Sequence, residues 1–155
     1  MKNLITYINE GFKIGKTKAK SYYTFQPKDR DELKKIIKER LKEDKNADLN
    51  DIDVSNINNM SNLFFMLDPH NINVSGWDMS NVEDTNGMFY NCSSFNCDLS
   101  NWDVSKVIDM GYMFYECEKF DSDLSNWNTS NVVHMKGALR HCISLKNKPS
   151  WYKEK

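Results

Sequence analysis

The apolar positions of this chain repeat every 25 residues. Trp77, Trp102 and Trp127 each open a W-[D/N]-x-S quartet, followed by a Val and then a Met-rich, Phe-containing run. Four units follow in register, at about 46–70, 71–95, 96–120 and 121–145, and their apolar residues fall into columns. The columns read Leu49, Val74, Leu99, Leu124; Ile52, Trp77, Trp102, Trp127; Val54, Met79, Val104, Thr129; Ile57, Val82, Val107, Val132; Phe64, Phe89, Phe114, Leu139; and His70, Phe95, Phe120, Leu145. A fixed period of this size means one supersecondary unit copied and stacked.

Within a unit the spacing predicts two elements. Trp102 and Val104 alternate with Asp103, the period of a strand. Ser105 then stands at an N-cap position, and Val107, Met110, Met113, Phe114 and Cys117 recur at intervals of three and four, the period of a helix. Ser80-Asn81-Val82-Glu83 reads as a capping box at the equivalent point of the preceding unit. Gly87, Gly111 and Gly137 fall inside these short helices, each at a cost of up to about 1 kcal/mol relative to Ala. The expected fold class is an α/β solenoid of four strand-plus-helix repeats. Its strands line the concave side of an arc, because helices need more width than paired strands.

The flanks predict covers for the ends of the stack. Over Asp29–Asp44 an amphipathic capping helix is expected, with Asp29 and Glu32 as its N-terminal pair and Leu33, Ile36, Ile37 and Leu41 as its buried stripe. At the other end Pro149-Ser150-Trp151-Tyr152 aligns with Leu124-Ser125-Asn126-Trp127, placing Tyr152 in the Trp column. The charged residues Lys153, Glu154 and Lys155 then discourage further edge pairing. Leu4, Ile5, Ile8 and Phe12 predict a short amphipathic helix before the basic linker Lys13–Lys20. Three parts result: 1–45 as amphipathic segment, linker and cap; 46–145 as the four repeats; 146–155 as a partial-repeat cap.

Charge sharpens this division. The net charge is -1, but residues 1–45 carry +6, residues 46–124 carry -12 and residues 125–155 carry +5. Mean hydropathy is only -0.71, with the aromatics gathered in the repeat columns, which points to a periodic fold and not to a disordered chain. No apolar run approaches the roughly 18 residues of a membrane span, and the opening residues lack a secretory core and cleavage site. The expectation is a protein kept in the cytoplasm or packaged in a virion, with no membrane contact.

Candidate chemistry adds little. Cys92, Cys117 and Cys142 share the column of Leu67 and read as small buried hydrophobes, with Cys97 the one exposed thiol. No C-x-x-C pair exists and His70, His134 and His141 are scattered, so neither a zinc site nor a disulfide framework is expected. Asp53, Asp78 and Asp103 form a row continued by Asn128. The favoured reading is that each accepts a backbone or Ser hydrogen bond at a turn, which explains why Asn can substitute; calcium lacks its loop motif. Paired-carboxylate catalysis needs a raised pKa in a cleft, so no enzyme, cofactor or metal is expected.

The repeat resembles the BspA-like leucine-rich-repeat family in its 25-residue bacterial and mycoplasma-lipoprotein form. The resemblance rests on the W-[D/N]-x-S column and on Asp98-Leu-Ser-Asn-Trp-Asp-Val-Ser-Lys-Val-Ile-Asp-Met-Gly-Tyr-Met-Phe-Tyr-Glu-Cys117, and it covers about residues 46–145. It implies a leucine-rich-repeat-like solenoid used for protein binding or adhesion, with no catalytic residues to carry over. The family's usual cell-surface setting is not matched by a signal here. Met1-Lys-Asn-Leu-Ile-Thr-Tyr-Ile-Asn-Glu10 is also similar to short leading segments on proteins of large tailed phages.

Two functions follow. The first is a protein-binding module that recognises a host or virion protein through Asn101, Asp103, Asn126, Asp53 and Asp78, helped by Tyr90 and Tyr115, over a core of Trp77, Trp102, Trp127, Phe89 and Phe114. The alternative is an acidic mimic of a nucleic-acid backbone that inhibits a DNA- or RNA-binding enzyme. Direct nucleic-acid binding is not expected, because the basic residues of 13–45 are interleaved with acids on a capping helix. Sequence leaves the oligomeric state open.

Overall fold

The computed structural model describes residues 23–67 and 69–153. The short helix and basic linker expected before residue 22 lie outside them. One α-helix is present among the described residues, α1 (Arg30–Glu43). Asp29 caps it, its carboxylate accepting the Glu32 N–H at 2.9 Å, while the Glu32 carboxylate accepts the Lys28 N–H at 2.9 Å. Leu33, Ile36, Ile37 and Leu41 are buried against the stack. Arg40 fixes the helix to the first repeat through Asp51 (3.0 and 3.2 Å) and the Asp48 carbonyl (2.6 Å), with its guanidinium 5.7 Å from the Phe25 ring centroid.

The repeats stack in register, but their described residues form neither the strands nor the helices that their spacing predicts. Pairing between repeats is reduced to isolated parallel bridges, among them Asn59 to Asp84, Asp84 to Asp109 and Asp109 to His134. The expected α/β solenoid of four strand-plus-helix repeats, and with it the leucine-rich-repeat architecture, is therefore incorrect. Each 25-residue rung is instead a chain of tight turns. Where Trp102 and Val104 suggested a strand, the Trp102 N–H closes a turn on the Leu99 carbonyl (3.1 Å), and the Val107 N–H closes another on the Val104 carbonyl (3.0 Å).

The segment read as a helix shows why periodicity misled. From Met110 to Cys117 the amides alternate between two destinations. Met113, Tyr115 and Cys117 donate three residues back within their own rung, at 3.0–3.2 Å. Met110, Tyr112, Phe114 and Glu116 donate across to the carbonyls of His134, Lys136, Ala138 and Arg140 in the next rung, at 2.8–3.0 Å. No i to i−4 bond forms there, because two residues per rung turn left-handed: Asn62, Gly87, Tyr112 and Gly137 in one column, Met66, Asn91, Glu116 and His141 in another. A left-handed residue every fourth position resets the chain direction before a helical turn closes. Apolar residues three and four apart still face inwards, mimicking a helix. The capping box fails for the same reason, since the Glu83 N–H goes to the Asn58 carbonyl of the rung below at 2.8 Å. Without wide helices and narrow strands, the predicted arc loses its cause.

Backbone ladders and ring stacks bind the rungs together. Phe89 stacks between Phe64 (4.9 Å) and Phe114 (5.5 Å), and Trp127 between Trp102 (6.4 Å) and Trp151 (6.2 Å). Indole is required for more than area. The Nε1–H groups of Trp77, Trp102 and Trp127 donate to the carbonyls of Leu49, Val74 and Leu99 in the rung before, at 2.9, 3.1 and 3.0 Å. Each of those carbonyls also accepts the N–H three residues on in its own rung, at 3.1 Å, so the indole supplies a second bond that ties one rung to the next, worth about 0.5–1.5 kcal/mol. Trp151 repeats the bond to Leu124 (2.9 Å), so it, and not Tyr152, supplies the indole of the partial rung; Tyr152 keeps the backbone register through its N–H to the Pro149 carbonyl (3.0 Å).

The cysteine column follows the same logic. The thiols of Cys117 and Cys142 lie 3.1 and 3.0 Å from the carbonyls of Phe89 and Phe114, where a leucine offers no donor. All four cysteines are unbridged and buried, so Cys97 is not the exposed thiol expected. His70 also leaves its assigned column, being exposed while Pro69 beside it is buried.

Candidate functional site

Two kinds of exposed row run across the rungs. The first consists of carboxylates and amides that shape turns. Asp53, Asp78, Asp103 and Asn128 each accept the N–H of the serine two residues on through Oδ1, at 3.1, 3.0, 3.0 and 3.2 Å. Asp48, Asn73, Asp98 and Asp123 accept in the same way one turn earlier, from Asn50, Ser75, Ser100 and Ser125, at 3.0, 3.2, 3.0 and 2.9 Å. A short side chain bonding its own backbone two residues on is an Asx turn, which Asn serves as well as Asp.

Such bonds lower the pKa of four carboxyls on this side. The Ser105 hydroxyl and N–H hold the Asp103 carboxyl below its usual range, and the Ser100 N–H does the same for Asp98. The Ser125 hydroxyl lowers Asp123, and Lys146, 2.5 Å away, lowers Asp121. Carboxyls shifted in this direction stay ionised, the opposite of what a general acid near neutral pH requires. Among the described residues no group of three or more His, Cys, Asp or Glu is arranged to hold a metal ion.

The second row is aromatic and arises from the left-handed columns. After each left-handed residue at 62, 87, 112 and 137, the chain closes a turn on the residue three further on, so Phe65, Tyr90, Tyr115 and Arg140 come into register on the outer surface. Phe65 meets Tyr90 edge-on at 5.6 Å, Tyr90 stacks on Tyr115 at 5.0 Å, and Tyr115 meets His141 edge-on at 5.5 Å. Tyr112 joins them, 5.8 Å from Tyr115 and 6.5 Å from Tyr90. Its ring covers Gly137, where a Cβ would stand 2.9 Å from Tyr112 Cδ1. Phe65 and His141 are exposed, and the three tyrosines half-buried.

The sequence-predicted residues therefore divide. Asn101, Asp103, Asn126 and Asp78 are exposed and Asp53 is half-buried, along the turn-forming half of each rung. Tyr90 and Tyr115 lie on the other half, past the turns at Val82 and Val107, and no hydrogen bond or ring contact among those described joins the two groups. Trp77, Trp102, Trp127, Phe89 and Phe114 are all buried, as core residues should be. Sequence reasoning missed Phe65, Tyr112 and His141. The signal for Phe65 was its place 25 residues before Tyr90, in a column that continues to Tyr115.

Over residues 32–152 the chain matches the family described as Mycoplasma protein of unknown function, DUF285. It belongs to that family, which agrees with the mycoplasma part of the resemblance drawn from the repeat. No curated protein and no solved structure matches the chain. Among the described residues no helix is long and apolar enough to cross a membrane.

Proposed function

We propose that this protein is a non-enzymatic binding module whose stacked rungs present the aromatic strip Phe65, Tyr90, Tyr112, Tyr115 and His141 to a partner protein. One observation carries the reading: four rungs bring these rings into continuous contact on an outer surface, held by paired backbone. Tyrosine offers large, rigid contact area at small entropic cost and is enriched where proteins meet. The turn-capping carboxylates on the other half of each rung suit a supporting role, since their oxygens already hold the frame.

Affinity capture from a lysate of the organism that makes the protein, with the Tyr90→Ser/Tyr115→Ser variant as control, tests the proposal. Retention of one partner at high salt by the parent chain, and its loss from a folded variant, is the expected result. Equal capture by both chains refutes the strip as the binding surface. A set of nucleic-acid enzymes released on raising salt supports the acidic-mimic reading in its place.

A further inference from the structure

The last rung differs from the others at its outer edge. In rungs 1 to 3 the amides of one column after another donate to the following rung: Met60, Asn62 and Phe64 to Asp84, Asn86 and Met88, and Met110, Tyr112, Phe114 and Glu116 to His134, Lys136, Ala138 and Arg140. The equivalent amides of the fourth rung, on Met135, Gly137, Leu139 and His141, make no hydrogen bond to any described residue. Lys136 N–H is a fifth. Its counterparts on Ser61, Asn86 and Gly111 donate to Asn59, Asp84 and Asp109 at 2.8–2.9 Å, but His134 stands in that column and accepts nothing from it.

Side-chain burial marks the same edge. Val107 and Met110 are buried in rung 3, whereas Val132 and Met135 are only partly so, and Val133 is 71% and Ile143 77% exposed. Among the described residues after 145, Trp151 covers the Trp column by stacking on Trp127. The remaining half of the rung borders an open groove of about 610 Å³, lined by Val133, His134, Met135, Lys136, Trp151 and Lys153.

We infer that this edge is a second binding site, distinct from the aromatic strip, which takes an acidic extended segment of a partner protein as one further rung. Such augmentation draws affinity from main-chain hydrogen bonds and selectivity from the side chains flanking them. The edge offers four N–H donors in the columns that elsewhere reach the next rung, with the Lys136 N–H beside them, so its ligand must bring carbonyl or carboxylate acceptors. Lys136 and Lys153 flank an apolar floor, which selects for negative charge beside an apolar residue.

Charge also excludes the other occupants within the same chain. Residues 1–22 carry five lysines against one glutamate, and residues 125–155 carry +5. Docking the first segment here, or pairing two copies edge to edge, brings like charges together. Among the described residues α1 covers the N-terminal end of the stack, where Arg30 and Lys34 donate to the Ser61 and Asn62 carbonyls, and this opposes head-to-tail assembly.

The rungs themselves supply a probe. Residues 82–91 carry Glu83 and Asp84 and no basic residue, and their carbonyls at 84, 86 and 88 accept from the preceding rung at 2.7–2.9 Å. A synthetic peptide of that sequence, titrated into the isotope-labelled full chain, should perturb the amide signals of Met135, Lys136, Gly137, Leu139 and His141 together and slow their hydrogen exchange. A twin peptide with Glu83→Lys and Asp84→Lys should bind about tenfold more weakly, as should the parent peptide to a Lys136→Glu/Lys153→Glu chain, both residues being exposed. Failure of the peptide to move these amides overturns the inference, as does equal binding by its charge-reversed twin. Slow exchange of the same amides in the free chain overturns it too. If independent of concentration it means that the chain's own residues 1–22 lie on the edge, and if it appears only on concentration it means a second copy does.

Discussion

Replacing Gly137 by Ala separates the turn-built rung from a helical one by the sign of a single measurement. Gly137 has φ +64°, and a Cβ built there stands 2.9 Å from Cδ1 and 3.0 Å from Cε1 of Tyr112. A left-handed L-residue costs about 1–2 kcal/mol, and displacing the half-buried Tyr112 ring adds to it. Reduced freedom of the unfolded chain returns only about 0.4–1 kcal/mol. The net expectation is destabilisation by about 1–2 kcal/mol, or a fall in Tm of about 2–8 °C at this chain length.

Were residues 130–142 helical, as their spacing suggests, the same change would gain up to about 1 kcal/mol, because Gly is the poorer helix former. Urea and thermal unfolding of the parent, Gly137→Ala, Tyr112→Ala and the double variant make the test. The cycle removes the ring contact and leaves the backbone part of the cost. Gly137→Asn should cost less than Gly137→Ala, since Asn62 already adopts this conformation in the same column. A rise in the unfolding midpoint for Gly137→Ala in both backgrounds would refute the reasoning.

Three further outcomes are expected. Trp102→Phe should destabilise by about 0.5–1.5 kcal/mol through the lost Nε1–H bond to the Val74 carbonyl, which keeps the Trp77 N–H, and Trp102→Ala by about 3–5 kcal/mol from lost packing alone, measured by urea unfolding; equal stability of Trp102→Phe and parent would show that the indole bond contributes nothing. Because Asp98, Asp103, Asp121 and Asp123 have lowered folded-state pKa values, their contribution is present above the unfolded value of about 3.9 and is lost as pH falls through the lower folded values. Unfolding midpoints should therefore drop on acidification below about pH 4, and Asp103→Asn should shallow that drop while keeping the turn, as Asn128 does. Burial pushes the Cys142 thiol up to about 12 and raises that of Cys117 as well. At pH 8 roughly one Cys142 in 10⁴ is thiolate, so thiol-directed alkylation should be slow in the native chain and fast in denaturant.

Much of the molecule is legible in its sequence because burial imposes columns whatever the backbone does. The Trp and Phe columns and the α1 stripe Leu33, Ile36, Ile37 and Leu41 are read from side-chain chemistry alone, and those side chains are buried. Backbone conformation is not readable in this way. Val107, Met110, Met113, Phe114 and Cys117 point inwards at helical intervals although alternate amides leave for the next rung. Gly87 and Gly137 with Asn62, and Asn91 four residues after Gly87, are the residues that tolerate a left-handed turn. Tyr112, Met66, Glu116 and His141 occupy the same columns and hide the signal. The surface was legible in part. Tyr90 and Tyr115 are visible as a repeat pair, whereas Tyr112 and His141 reach the strip only because a left-handed residue carries each side chain outwards.

Scalar couplings across hydrogen bonds, recorded by NMR on the isotope-labelled chain, test the fold most directly, since each reports one donor and one acceptor. The account predicts couplings from the amides of Met60, Phe89 and Phe114 to the carbonyls of Asp84, Met113 and Ala138, each one rung away. Couplings from residues 107–117 to carbonyls four positions earlier would mean helices in the rungs and would contradict it.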